Sequence, residues 1–240
     1  MINSSILSVI VCFIPTIIIG LIMYYFDSDK SKKKILILIL SFVFGAFMFY
    51  IAYRLDMHFG SYFKGFIVAS YFKSFLYALF GVAIFEESCK LFGSLVFMTK
   101  YKIKNIYNSI VLCGFVAMGF SVAESIFFYL PKFLNSGNAL VLMLNRTMST
   151  TPAHTAFGIV MGYFLGKFVL SKIVWKKVIY IILALIIPMI IHALANFALY
   201  RGGLFNQVFT QAYLNCLFLF VICLCYIIIR KIGSDKDERV

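Results

Sequence analysis

The sequence predicts an all-α polytopic membrane protein with about seven transmembrane helices, and three observations carry that prediction. Of the 240 residues, 63% are hydrophobic and 13% charged. A soluble domain is roughly half apolar and a quarter charged, so this chain holds more apolar surface than a water-soluble fold of its size can hide. Runs of about 20 apolar residues, long enough to cross a hydrocarbon core about 30 Å thick at 1.5 Å per residue, recur along the whole chain. Lysine and arginine crowd into every second connection between these runs, the pattern of loops held on the cytoplasmic side.

The first predicted span, residues 5–26, is uncharged until its C-terminal end. It is too long for a signal-peptide core and lacks a basic leader and a small-residue cleavage site, so it reads as a retained helix. The second, 35–53, follows Lys30, Lys32, Lys33 and Lys34. Residues 59–73 are aromatic but short and carry Lys64 and Lys73, which suits an interfacial or re-entrant helix. An eighth span there would turn most of the later basic residues outward. The third span, 74–98, holds Glu86, Glu87 and Lys90; the fourth, 107–130, ends at Pro131. The fifth, 147–168, has Pro152 in its first turns, where proline is least disruptive. The sixth, 178–200, and the seventh, 208–229, precede a short charged tail. Of the 22 basic residues, fifteen fall on one side of this arrangement and six on the other, which places the N-terminus outside and the C-terminus in the cytoplasm. No repeat or linker divides the chain, so residues 1–240 form a single membrane domain.

The net charge of +13 belongs to basic loops at a membrane surface and not to nucleic-acid binding. The six cysteines, Cys12, Cys89, Cys113, Cys216, Cys223 and Cys225, all lie inside apolar runs and read as small packed residues, without disulfides or a zinc cage.

Six of the nine acidic residues, Asp27, Asp29, Asp56, Asp235, Asp237 and Glu238, fall in predicted loops or the tail. The remaining three, Glu86, Glu87 and Glu124, lie within apolar helices, where an ionised acid costs about 2.5–3.5 kcal/mol at mid-helix. Lys90 stands four residues from Glu86 and three from Glu87, so it pairs with one of them and leaves the other as a general base. Glu124 shares a helical face with Phe120 in the stretch GFVAMGFSVAE and needs a partner or a wet cavity. His154 and His192 occupy separate spans, with Asn196 one turn beyond His192. Glu124, His154 and His192 are seven, eight and nine residues from Pro131, Arg146 and Arg201, a shared depth of roughly 10–14 Å. Glu86, thirteen residues from Lys73, is expected nearer mid-membrane at roughly 20 Å.

These segments, EExxK at Glu86–Lys90, FxxxE at Phe120–Glu124, His154 in an HxxxG stretch and HxxxN at His192–Asn196, resemble the PrsW family, which is related to CAAX-type membrane endopeptidases. The motif-bearing core covers about residues 74–200. The resemblance implies an intramembrane protease in a bacterial plasma membrane that cuts a membrane-anchored protein. For the family's namesake that cut is the first cleavage of an anti-sigma factor. It also implies that Glu86 or Glu87, with His154, activates water, while His192 and Asn196 hydrogen-bond the oxyanion. Glu124 stands where CAAX-type relatives have a histidine, and its role stays open. Glu86, Glu124, His154 and His192 are the residues available to a catalytic Zn²⁺. No HExxH motif is present, and a metal-free glutamate mechanism accounts for the same residues. Two other classes are an ion-coupled transporter, against which the absence of an inverted repeat weighs, and a non-catalytic immunity or scaffold protein on the same fold.

Overall fold

The computed structural model describes residues 2–27, 31–63, 65 and 70–200, and within them every regular element is a helix. The predicted first span is two helices, α1 (Ile2–Val11) and α2 (Ile14–Tyr25). They break at Cys12 and Phe13 because Pro15, in the first turn of α2, has no N–H to carry the α-helical ladder back across the junction. The tight turn instead bonds Cys12 N to the Val9 oxygen.

Helix α3 (Lys32–Phe59) starts at Ser31, whose hydroxyl accepts from Lys34 N at 3.4 Å. It runs well past the predicted end, so Asp56 belongs to a helix and not to a solvated loop. Asp27, also predicted as solvated, is buried: its carboxylate accepts from Lys34 Nζ at 2.6 Å and Asn108 Nδ2 at 3.1 Å. Of residues 59–73, Phe59 closes α3, Gly60–Phe63 form a 3-10 turn, and Ser70 caps α4 (Tyr71–Leu76). Residues 64 and 66–69, the middle of the interfacial or re-entrant helix expected there, lie outside the described residues.

Helix α4 passes through a π-helical segment, Tyr77–Ala83, into α5 (Ile84–Tyr101). Asn105 caps α6 (Ile106–Glu124), which gives way to a second π-helical segment, Ser125–Tyr129, and the short α7 (Leu130–Phe133). After Gly137, whose φ of 73° suits only a residue without a Cβ, α8 (Ala139–Leu170) begins. That is earlier than predicted, and it places Arg146 and Pro152 inside the helix. The last described helix is α9 (Val174–Tyr200).

Among the described residues, five stretches are long and apolar enough to cross a membrane: Ser5–Tyr25, Lys32–Phe63, Ile106–Phe133, Ala139–Leu170 and Val174–Tyr200. The helical stretch through α4 and α5 is not one of them, because Glu86, Glu87 and Lys90 interrupt its apolar run; those three side chains are turned inward and buried. The predicted seventh span, 208–229, lies outside the described residues. Large apolar side chains such as Ile17, Leu21, Val43 and Ile182 are exposed on the outside of the bundle, as lipid-facing positions require.

Helix α6 is the axis of the bundle, packed between α3 and α8. Glycines permit the approach: a Cβ on Gly119 would overlap the Phe42 carbonyl oxygen, and one on Gly45 the Val116 carbonyl. Gly158 and Gly162 of α8 lie as closely against Cys113 and Ile110, the small-residue packing of membrane helices. Gly119→Ala is expected to destabilise the protein by about 1–3 kcal/mol, since backbone must move to admit the methyl. Thermal unfolding in detergent checks this. Gly20→Ala is the control, because its Cβ would meet the Phe115 ring at 3.5 Å and Met118 Cε at 3.8 Å, both ordinary contacts.

Candidate active site

Four helices contribute to one buried polar cluster. The first π-helical segment ends three residues before Glu86, and Glu124 is the last residue before the second. Wide π turns in an otherwise α-helical stretch often mark such sites. Helix α8 supplies Arg146 and His154, and α9 supplies His192 and Asn196. Glu86, Glu124, His154, His192 and Asn196 all line one cavity of ≈ 650 Å³.

Glu87 and Lys90 lie behind this wall. Lys90 Nζ donates to Glu87 Oε1 at 2.7 Å and stands 3.6 Å from Glu86 Oε2, so of the two pairings open to it the structure takes Glu87 as the close one. An ammonium has only protons to give, so the 2.8 Å contact from Lys90 Nζ makes His154 Nδ1 an acceptor. The ring's Nε2 then carries the proton and donates to Glu124 Oε2 at 3.1 Å. Arg146 Nη2 donates to the other oxygen of Glu124 at 2.8 Å. Arg146, read from sequence as a surface marker, is thus Glu124's ion-pair partner.

The second histidine is held the opposite way. His192 Nδ1 donates to Glu87 Oε1 at 2.7 Å, which leaves Nε2 with a lone pair, 3.8 Å from Glu86 Oε2. Aromatic rings set both imidazoles: Phe157 stacks on His192 with centroids 5.0 Å apart, and Phe120 lies beside His154 at 5.7 Å and under Lys90 Nζ at 4.4 Å. Glu86 Oε2 is buried with no hydrogen-bond partner. It also stands 3.8 Å from His192 Nε2, so the two side chains meet across the cluster.

Asp56 lines the same cavity, with a buried Oδ1 that has no hydrogen-bond partner. Sequence reading missed it, although the Phe49, Tyr53, Asp56 spacing at four and three residues continues one helical face past the predicted end of the span.

Metal-ligand atoms of Glu86, His154 and His192 lie within 4.8 Å of one another. Two histidines and one carboxylate are the donor set of a catalytic zinc with an open position. The pairing of Glu87 with His192 is the carboxylate–histidine support such ligands use, and it leaves Nε2 free. The bare Glu86 Oε2 is a second ready donor. His154 would join by exchanging Lys90 or Glu124 for the ion. The residues therefore fit a divalent cation.

The sequence model of a family described as "PrsW family intramembrane metalloprotease" matches residues 33–227, a range that includes every residue of this cluster. Among curated proteins, "Protease PrsW" of Oceanobacillus iheyensis is 27% identical over 197 residues, covering 80% of this chain and 83% of its own. "Protease PrsW" of Clostridioides difficile is 26% identical over 225 residues, covering 93% and 87%. "Protease PrsW" of Geobacillus kaustophilus is 26% identical over 202 residues, covering 81% and 82%. No solved structure matches the chain.

Proposed function

From the premise that this chain belongs to the PrsW family of intramembrane proteases, we propose that it hydrolyses a peptide bond of a membrane-anchored protein, with Glu86 as the general base. The observation that carries the assignment is the contrast between neighbours. Glu86 lines the cavity, whereas Glu87 is 0% exposed and does not reach it, and its Oε1 is taken by both Lys90 and His192.

Amide hydrolysis needs an activated water, oxyanion stabilisation and a proton for the leaving amine. Glu86 accepts the proton as water oxygen bonds to the scissile carbon. The Asn196 carboxamide on the same wall donates to the resulting oxyanion. When the C–N bond breaks, the amine takes the proton back from Glu86. Glu87 positions His192 beside Glu86, and the Arg146–Glu124 pair positions His154. A divalent ion such as Zn²⁺ held by Glu86, His154 and His192 would polarise the carbonyl and acidify the water. Purified protein is expected to carry such an ion and to lose hydrolysis of single-span peptides to a chelator, with Zn²⁺ restoring it. Metal-free protein that is active and indifferent to chelator would leave the carboxylate acting alone.

The arrangement suits a protease better than an ion pathway. Asp27, Lys34 and Asn108 form a polar cluster at the opposite end of the bundle. Between Asn108 and Ser121, α6 is dominated by apolar groups such as Val111, Val116 and Met118, so among the described residues this central helix carries no continuous polar file from one cluster to the other.

The cavity lies at the bundle end formed by the C-terminal parts of α3 and α9 and the N-terminal part of α8, away from the lysine-rich connections. By the positive-inside rule this is the outer side of a bacterial plasma membrane. A membrane-impermeant maleimide applied to intact cells is expected to modify Asn135→Cys in a background without the native cysteines. Modification only after permeabilisation would put the cavity on the cytoplasmic side. By the family resemblance, the substrate class includes membrane-anchored anti-sigma factors.

A further inference from the structure

Beside the catalytic cavity lies a second hollow of ≈ 500 Å³, walled by Ala46, Phe47, Phe49, Tyr50 and Tyr53 of α3 and by Phe127 and Phe128 of the second π-helical segment. Its rim faces lipid: Phe47, Tyr50 and Phe127 are 53%, 56% and 73% exposed. Three of its residues, Phe49, Tyr53 and Phe128, also line the catalytic cavity. One aromatic partition thus separates an apolar groove open to the bilayer from a polar chamber that holds Glu86.

The partition is a contact between side chains of two elements, α3 and the second π-helical segment. Tyr53 and Phe128 meet edge to face with centroids 5.7 Å apart, and Lys132 Nζ sits 3.2 Å from the Phe128 centroid on its other side. Phe128 rides on a π-helical turn, a local widening that often accompanies functional sites in helices. Behind Tyr53 the rings continue through Phe49 and Phe120 to His154.

We propose that the transmembrane helix of an anchored substrate docks in this groove, and that the Tyr53–Phe128 pair is the gate its scissile segment passes to reach Glu86. The proposal rests on the protease reading above. From Ala46 to Tyr53 the groove follows α3 for about 10 Å, nearly two turns of a helix lying alongside. A lipid tail would fill the groove but gain nothing from a polar chamber beyond it. A peptide does gain, because a segment unwound for hydrolysis exposes backbone N–H and C=O groups that hydrocarbon cannot satisfy and that the chamber can.

Docking is tested apart from catalysis by placing a benzoylphenylalanine photo-crosslinker at Phe127 in Glu86→Gln protein. The protein is reconstituted in phosphatidylcholine–phosphatidylglycerol vesicles with a single-span peptide whose apolar segment is about 20 Leu and Ala residues long. Leu194 is the comparison position, lipid-exposed on α9 two residues from His192. Capture of the peptide at Phe127 about tenfold above that at Leu194, a preference worth roughly 1.4 kcal/mol, is expected. Equal capture at both positions, or adducts to lipid alone, overturns the groove as a docking site.

The gate is tested by a reversible Tyr53→Cys to Phe128→Cys link in protein whose six native cysteines are replaced. Linking is expected to lower the ratio of anchored-peptide to soluble-peptide cleavage about tenfold, with recovery on reduction. An unchanged ratio overturns the gate. Absence of all cleavage by the wild type would instead sink the protease reading, and the capture result still decides the groove.

Discussion

Glu86→Gln is expected to lower kcat for peptide hydrolysis by roughly 10³-fold, within the range that general acid–base groups contribute, while the protein folds and melts like the wild type. The two halves of this expectation come from the same observation. Glu86 Oε2 is buried with no hydrogen-bond partner and meets Lys90 Nζ only at 3.6 Å, so an isosteric carboxamide breaks no hydrogen bond of the fold, and Lys90 keeps Glu87 as its close partner at 2.7 Å. The same change takes away the basic oxygen and the carboxylate donor of the Glu86, His154 and His192 group. Substrate binding depends on the rest of the cavity, so KM should move far less than kcat. Single-turnover hydrolysis beside a melting curve checks both halves. A variant that cuts within a few-fold of wild type would take the base role away from Glu86.

Glu87→Ala should behave differently, losing stability as well as activity. Its Oε1 accepts from both Lys90 Nζ and His192 Nδ1 at 2.7 Å, and the side chain is wholly buried. Truncation leaves an ammonium inside the bundle with Glu86 at 3.6 Å as its nearest carboxylate. Breaking a buried ion pair by removing one partner costs about 3–5 kcal/mol, chiefly because the other charge stays behind. Replacing Lys90 as well removes that charge, so Glu87→Ala with Lys90→Met should recover much of the stability. Activity should not return, since His192 keeps no support. Unfolding of the single and double variants in detergent gives the coupling energy directly. Wild-type stability in Glu87→Ala alone would show that the pair contributes nothing to the fold.

Much of this site was legible before the fold was known, because charge inside an apolar helix is rare enough to mark its own importance. Glu86, Glu87, Lys90, Glu124, His154, His192 and Asn196 stand out on that ground and do converge. What failed was the treatment of charges near the predicted helix ends. Asp27, Asp56 and Arg146 looked like solvated markers, but α3 outruns its predicted end and α8 starts before its predicted beginning, carrying Asp56 and Arg146 inside. Asp27 is buried against the Lys34 ammonium in the first turn of α3 and the Asn108 amide of α6, the latter 81 residues away in sequence. Nothing in the sequence signals the π-helical segment Tyr77–Ala83 between Lys73 and Glu86, and the count from Lys73 takes the α-helical rise throughout. The groove behind the Tyr53–Phe128 pair left no signal at all, since aromatic residues at helical spacing read as ordinary packing.

The most direct test of the central claim is hydrolysis of a panel of single-span peptides in proteoliposomes by the wild type and by Glu86→Gln, with products identified by mass. The expected result is a defined cut toward the outer end of the apolar segment by the wild type and none by the variant. Equal cutting by both proteins would contradict the assignment of Glu86 and of the cluster built around it.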